Sequence, residues 1–439
     1  MQLSQIDPEI AKLITSEEKR QKEVLEMIPS ENYTSRAVME TLGTVLTNKY
    51  SEGYPKKRYY QGNKIIDEVE QLAIDRAKKL FNVPYVNVQP HSGSPANLAV
   101  YLAVCKPGVD KIMGLSLAFG GHLTHGQPQS ATGQFFKSTQ YELGRDGLLD
   151  FDAIEKQAKR EKPKIIVCGF TAYPRTIDFA RFAKIADSVG AYLLADTSHI
   201  TGLIVANAHP TPAPFAHIIT TTTHKTLRGP RGAMIMVTER GLKKDPDLAK
   251  KIDTAIIPGL QGGPHDNQTA AIAVALKEAA TPAFKKYGQQ IVKNAASLAE
   301  ELSRLGFDLV SGGTDNHLIL IDLKNKGVNG IVAAYALEVA DIVVNKNGVP
   351  FDTEPPFYPS GIRMGTPAIT TRGMGEKEMV KIAKWMSQAI DAVKDEKLPK
   401  DREKRSNFVK AFRTRADRNK KLLKIAAEVK SLTAKFPVP

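Results

Sequence analysis

Residues 220–232 read Thr-Thr-Thr-Thr-His-Lys-Thr-Leu-Arg-Gly-Pro-Arg-Gly. An apolar, β-prone run at 217–221 leads into the threonines, His224 and Lys225, and a second strand-like run, 233–237, follows. Short hydroxyls rather than long charged chains surround the lysine. Flanked by two strands, Lys225 is expected at a sheet's end and partly desolvated. That lowers a lysine pKa from its ordinary value of about 10.4 and frees the nucleophilic amine. Such an amine suits Schiff-base chemistry with a carbonyl. A solvated or structural lysine fits the same residues, so the motif by itself leaves both open.

Three further groups could do chemistry. Asp196 ends the apolar run Tyr-Leu-Leu-Ala, with His199 three positions on. This suits a carboxylate aimed at a cationic ring nitrogen and an imidazole over the ring face. It equally suits an Asx-type turn beside a packed histidine. Ser92-Gly93-Ser94-Pro95 is a candidate phosphate cradle at a helix start, with Pro95 expected at the first helical position. It lacks the signatures of a P-loop and of G-x-G-x-x-G, and a plain helix cap is the alternative. Residues 48–62 are dense in tyrosine, glycine and charge and follow neither helix nor strand periodicity. Such loops serve interfaces and sites, or simply use their tyrosines for packing. His122 and His125 have a metal-like spacing, but no cysteine or carboxylate stands close in sequence, so no metal site is expected.

The elements that must position these groups alternate. Strands are expected at 85–88, 111–115, 165–168, 192–195, 218–221 and 233–237, with helices at 68–81, 98–104, 151–160 and 179–188 between several of them. Alternation of this kind implies an α/β layer with a largely parallel sheet, whose ligands sit at the carboxyl ends of the strands. Residues 1–28 read as one amphipathic helix with Ile10, Leu13, Ile14, Val24, Leu25 and Ile28 as its stripe. Beyond 267, long helices, strands near 307–310, 317–323 and 345–347, and a helix over 376–393 indicate a second, α+β domain. The expected division is an N-terminal arm over 1–50, a large domain over 51–280 and a small one over 281–439.

The 439 residues carry a net charge of +14. Residues 397–439 hold 14 Lys+Arg against 4 Asp+Glu, a net of +10, so the rest of the chain carries only +4. Phe408, Phe412, Leu422, Leu423, Ile425 and Val429 fall there at helical spacing, which favours an amphipathic helix with a solvated basic face over a nucleic-acid-binding tail. Cys105 and Cys168 lie in apolar runs, so a disulfide framework is not expected. No signal peptide or membrane-length apolar run is visible, and a cytoplasmic protein is expected.

Long stretches taken together resemble the serine hydroxymethyltransferase family. They include Ser-Glu-Asn-Tyr, Asn-Lys-Tyr-Ser-Glu-Gly-Tyr-Pro, Arg-Tyr-Tyr, Val-Gln-Pro-His-Ser-Gly-Ser, Gly-Gly-His-Leu-Thr-His-Gly, the threonine–lysine motif, Gln-Gly-Gly-Pro, Ser-Gly-Gly-Thr-Asp-Asn-His and Ser-Gly-Ile-Arg, in one order from about residue 28 to 375. The resemblance implies an aspartate-aminotransferase-like fold (fold type I) whose large domain binds pyridoxal 5′-phosphate. It implies reversible transfer of the serine hydroxymethyl carbon to tetrahydrofolate, giving glycine and 5,10-methylenetetrahydrofolate, by a homodimer with shared sites, with a tetramer left open. By resemblance, Lys225 holds the cofactor covalently, Asp196 keeps its ring nitrogen protonated and His199 stacks on the ring. Gly93, Ser94, Thr171, Thr222, His224 and Arg231 help hold phosphate and ring, and Tyr50, Gly262 and Gly263 reach the neighbouring subunit's phosphate, with Ser30 and Tyr60 also near the cofactor. Ser30 and Arg363 take the amino-acid carboxylate. Glu52, Tyr59 and Tyr60 act at the hydroxymethyl group, Glu52 leading in proton transfer. Leu117, Gly121, His122, Leu123, Asn347 and Phe357 line the pterin pocket. Gln61, Phe119, Thr171, Thr197-Ser198, Thr201 and Leu260 depart from the commoner pattern. A folate-independent aldolase of the same fold is the nearest alternative.

Overall fold

The apolar runs become strands of one seven-stranded sheet in the computed structural model, which describes residues 2–439. Its strands are β1 (Tyr85–Asn87), β2 (Lys111–Leu115), β3 (Lys137–Tyr141), β4 (Ile165–Cys168), β5 (Tyr192–Asp196), β6 (Ile218–Thr222) and β7 (Ala233–Val237). Their spatial order is β1-β7-β6-β5-β4-β2-β3. Strands β2 to β6 are mutually parallel. Strand β7 is antiparallel to both β6 and β1, so β1 again runs with the parallel set. The carboxyl ends of β1, β2, β4, β5 and β6 therefore share one edge of the sheet, where open α/β sheets place ligands.

The central strands read as unbroken apolar runs because both faces are covered. All residues of β4 and β7 are buried. Ile165, Val167, Leu194, Ile218, Ile235 and Val237 pack with Ala96, Val100 and Tyr101 of one helix and with Leu248 and Ile252 of another. Burying such a side chain is worth about 1.5–3 kcal/mol. Asp150 and Asp178 accept from the backbone of Ala153 and Arg181, which fixes where helices Phe151–Glu161 and Phe179–Ser188 begin.

The sequence expectations need four corrections. The helix expected from residue 98 spans Gly93–Val104 with Ser92 as its N-cap, so Pro95 is its third residue. The chain does not run as one helix to residue 28. Asp7 caps a second helix, Pro8–Glu23, and Leu25–Glu26 is a short strand paired in parallel with Ile342–Val343. Ile10, Leu13 and Ile14 of the expected stripe stay exposed. The division into units also differs: residues 34–292 form one unit, while the chain up to Tyr33 joins 293–439 in the other. The reason is the Leu25–Ile342 pairing together with burial of Leu25 and Met27 in the second unit's core.

The second unit has an antiparallel sheet of β8 (Asp308–Leu309), β9 (Leu318–Asp322), β10 (Asn345–Asn347) and β11 (Gly361–Gly365), in the order β8-β9-β11-β10. The basic tail forms two helices, Arg402–Ala416 and Lys420–Thr433, with Asn419 capping the second. Phe412, Leu422, Ile425 and Val429 belong to this unit's core, whereas Leu423 is exposed. Several of the tail's cations are paired, among them Arg405 with Glu354 at 2.6 Å. Among the described residues no helix is long and apolar enough to cross a membrane.

Candidate active site

Asp196 closes β5 at the ligand-binding edge and is buried. Its Oδ1 accepts from the backbone N–H and the hydroxyl of Ser198, at 3.1 and 2.6 Å. Its Oδ2 accepts from the Asn97 amide at 2.8 Å and lies 3.0 Å from Nε2 of His125. Burial alone would push this carboxyl up. The hydrogen bond and charge of His125, the charge of His122 and the Ser198 hydroxyl outweigh it and hold the group well below the ordinary carboxylate range. A carboxylate fixed in its ionised form is suited to holding a proton on a basic ring nitrogen.

The threonines of the next strand and of the turn after it wire this constellation together. Thr220 donates to the Asn97 amide oxygen at 2.7 Å, and the Thr222 N–H donates to Ser198 Oγ at 3.0 Å. Thr223 and Thr226 donate to the carbonyls of Pro230 and His199 at 2.6 and 2.9 Å. The turn that presents Lys225 is thereby fixed on both sides. The lysine Nζ donates to Thr222 Oγ1 at 2.8 Å. His199 is buried beside these strands.

The helix Gly93–Val104 points its N-terminus at the same edge. Its N-cap Ser92 makes no side-chain cap, and a Cβ on Gly93 would stand 2.7 Å from Thr222 Cγ2. Ser94 is exposed in its first turn. Nδ1 of His224 is buried without a hydrogen-bond partner. Burial and the charges of Lys225 and Arg231 push that imidazole down to about 3, so it is neutral and offers an unused polar atom. An uncapped helix N-terminus, the exposed Ser94 and an orphaned imidazole nitrogen fit a phosphate-bearing cofactor, and Lys225 would supply the amine for its carbonyl.

The loop after β2 carries Leu117 and Leu123, 40% and 49% exposed. Between them Gly121 turns so tightly that a Cβ would sit 1.9 Å from the Leu115 carbonyl oxygen. Thr171, following β4, pins the loop by donating to the Gly121 carbonyl at 2.8 Å. His122 Nδ1 lies 2.7 Å from Thr124 Oγ1, and burial together with the charge of His125 pushes His122 down to about 4. Phe119 is buried in this loop.

A second constellation gathers the tyrosine-rich segment. The Tyr50 hydroxyl donates to Glu52 Oε1 at 2.9 Å, and the rings of Tyr50 and Tyr60 meet edge-on at 5.0 Å. Glu52 raises the Tyr50 phenol pKa through that bond. Gly262 faces the Glu52 carboxylate and Gly263 faces the Tyr50 ring, where added Cβ atoms would stand 2.9 and 3.1 Å away. Gln261 joins this loop to the cradle, bonding the Gln89 carbonyl at 2.9 Å and the His91 N–H at 3.0 Å. Tyr50, Tyr59 and Tyr60 remain 52%, 69% and 46% exposed. Arg231 is also exposed.

In the second unit, Arg363 lies on β11 paired with Asn345 of β10, and its Nε donates to the Asn345 amide oxygen at 3.1 Å. Burial pushes its guanidinium down to about 10, so it stays charged at neutral pH. Asn347 ends β10, Phe357 is 77% exposed and Ser30 is half-buried.

A family model described as serine hydroxymethyltransferase matches residues 3–386. The chain belongs to the serine hydroxymethyltransferase family. A serine hydroxymethyltransferase of Acidothermus cellulolyticus is 56% identical over 100% of this chain and 97% of its own length. Those of Desulfotalea psychrophila and Sorangium cellulosum are each 52% identical over 100% of this chain and 96% of their own lengths.

Within this family frame, two residues at the heart of the site carried no role in the sequence reading. His125 stands there only as half of a rejected metal pair, and Asn97 is not singled out at all. Both reach Asp196 across long sequence separations. Their one local signal is the Gly-His-Leu-Thr-His spacing, which set two imidazoles on one loop. Ser198 is likewise an Asp196 donor.

Proposed function

We propose that the two constellations of the first unit divide the labour of the reaction of the serine hydroxymethyltransferase family, reversible transfer of the serine hydroxymethyl carbon to tetrahydrofolate with release of glycine. The buried constellation would hold pyridoxal 5′-phosphate in a fold-type-I arrangement. Bound there, the cofactor supplies an electron sink for the amino acid's α-carbon. Lys225 carries it covalently, Asp196 keeps its ring nitrogen protonated and His199 covers its ring. Gly93, Ser94, Thr171, Thr222, His224 and Arg231 bear on its phosphate and ring. The observation that carries this reading is the Asp196 carboxylate, held ionised by four donors on the same sheet edge as the Lys225 amine.

The exposed constellation handles the one-carbon unit. Glu52, oriented by Tyr50, exchanges a proton with the serine hydroxyl oxygen as the carbon leaves, and Tyr59 and Tyr60 flank it. Leu117, Gly121, His122, Leu123, Asn347 and Phe357 are assigned to the pterin. Arg363 and Ser30 are assigned to the amino-acid carboxylate, for which a planar guanidinium fork is suited. The exposed Tyr50 and Tyr60, with Met39, Val45, Ile65 and Leu72 also uncovered nearby in sequence, support a homodimer in which Tyr50, Gly262 and Gly263 complete the partner's site. Borohydride reduction of the cofactor-loaded protein followed by peptide mapping tests the assignment. A reduced adduct on Lys225 supports it, and an adduct of the same peptide persisting in Lys225→Ala overturns it.

A further inference from the structure

A carboxylate that moves protons must stand in one place, and Glu52, half-buried between the buried Ser51 and Gly53, has no helix or long strand to fix it. The fixing is done from beneath. Arg58 is enclosed, its side chain 4% exposed, and makes four hydrogen bonds. Its Nη1 donates to the carbonyls of Ser51 and Gly53, at 2.8 and 2.9 Å, which are the residues on either side of Glu52. Its Nε and Nη2 are anchored on Asp67 at 2.9 Å and on the buried Glu70 at 2.6 Å. Gln89 doubles the grip, bonding both the Gly53 carbonyl and Glu70 at 2.9 and 2.8 Å. The Glu52 carbonyl itself accepts from the Tyr59 N–H at 3.0 Å. Ser51 is tied to Asp266 at 2.7 Å. The hairpin pairing Gly53 with Arg58 closes this clamp, and Gly53 (φ +98°) could not carry a Cβ, which would lie 2.3 Å from the Lys57 oxygen.

We propose that Arg58 is a positioning residue for the one-carbon step: anchored on Asp67 and Glu70, it grips the two carbonyls that flank Glu52 and so sets where the Glu52 carboxylate stands. The inference rests on the assignment of proton transfer to Glu52. An ion pair serving stability alone would need only the two acids. Half of the Arg58 bonds go instead to the backbone of the catalytic segment. A lysine would keep the charge but not the fork that reaches acids and carbonyls together. Misplacing a reacting group by about 1 Å costs up to roughly 10²-fold.

The test is a double-mutant cycle of Arg58→Lys and Glu52→Gln in the pyridoxal-phosphate-loaded enzyme, reading kcat and KM for serine with tetrahydrofolate. Arg58→Lys is expected to lower kcat about 10- to 100-fold with KM for serine within about 3-fold. In the Glu52→Gln background the same change is expected to cost less than about 3-fold, since the group it positions is already gone. An unchanged kcat, or the same loss in both backgrounds, overturns the proposal and leaves Glu52's role standing. Near-normal turnover by Glu52→Gln alone overturns both. Should Arg58→Lys not fold, the charge-neutral pair Arg58→Gln with Glu70→Gln replaces it in the same cycle, and the same outcomes decide.

Discussion

The two halves of the site are built in opposite ways. Around Asp196 and Lys225 the groups are paired and enclosed: a carboxylate with four donors, a ladder of threonine hydroxyls, and two imidazoles, His122 and His224, that burial keeps neutral, with only Nδ1 of His224 left over. Around Glu52 the rings of Tyr50, Tyr59 and Tyr60 stand about half exposed or more, and order comes from one arginine beneath. On the proposed roles, the difference follows from the tasks. A cofactor bound through many turnovers favours a rigid, prepaid network, since each ordered donor then costs nothing at the moment of reaction. A carbon unit that passes between two substrates needs an opening, so its proton-transfer group must lie at the surface and be held from below.

If the halves are separable in this way, mutations should separate them too. The largest effect is expected from Glu52→Gln, which keeps the shape but not the ionisation: turnover should fall about 10²–10⁴-fold, while the thermal midpoint and cofactor content stay near those of the parent. A matching loss of cofactor would erase the distinction. Asp196→Asn should instead lose on both counts. It turns an amide against donors from Asn97, His125 and Ser198, so about 1–3 kcal/mol of stability and much of the cofactor affinity should go together, measured by thermal melt and cofactor titration.

Acid should reach the buried half through its histidines. His122 is pushed down to about 4 and His224 to about 3, each chiefly by burial. In the unfolded chain they take up protons near pH 6.5, in the folded one only well below that. Stability is therefore independent of these groups above about 6.5 and falls as pH drops towards 4, by about 2 kcal/mol for each histidine between pH 6.5 and 5. Melts of the parent and of His224→Asn at pH 7.5 and 5 check this, with a smaller fall expected in the variant. A fall equally steep in both would remove His224 from the account. The smallest effect belongs to the exposed half. Lys56 holds a left-handed conformation (φ +65°) in the hairpin turn, and its N–H bonds Asp67. Lys56→Gly keeps that bond and should raise stability by about 1 kcal/mol without altering turnover.

The buried half was the more legible in sequence where chemistry and element coincide. Asp196 and Lys225 follow directly from apolar strands, and the strands over 165–168, 192–196 and 233–237 are marked by continuous hydrophobic runs. What escaped was long-range. Nothing local to His125 or Asn97 says that both meet one carboxylate. The strand Lys137–Tyr141 also escaped, because it lies on the sheet's edge and its Lys-Ser-Thr-Gln-Tyr sequence carries no apolar alternation. Leu25–Glu26 is too short to show periodicity, and its place in the second unit is set by a partner more than 300 residues away. In the exposed half the motif was evident and its support was not. Arg58 reads as one more charge in a basic run until the fold turns it inward.

The division of labour is tested most directly by the visible spectrum of the Glu52→Gln protein loaded with pyridoxal 5′-phosphate and titrated first with glycine, then with tetrahydrofolate. The parent's cofactor band and glycine response should be retained, and the further change that tetrahydrofolate produces in the parent should be lost or sharply reduced. A variant that binds cofactor or glycine poorly, or that responds to tetrahydrofolate as the parent does, would contradict it.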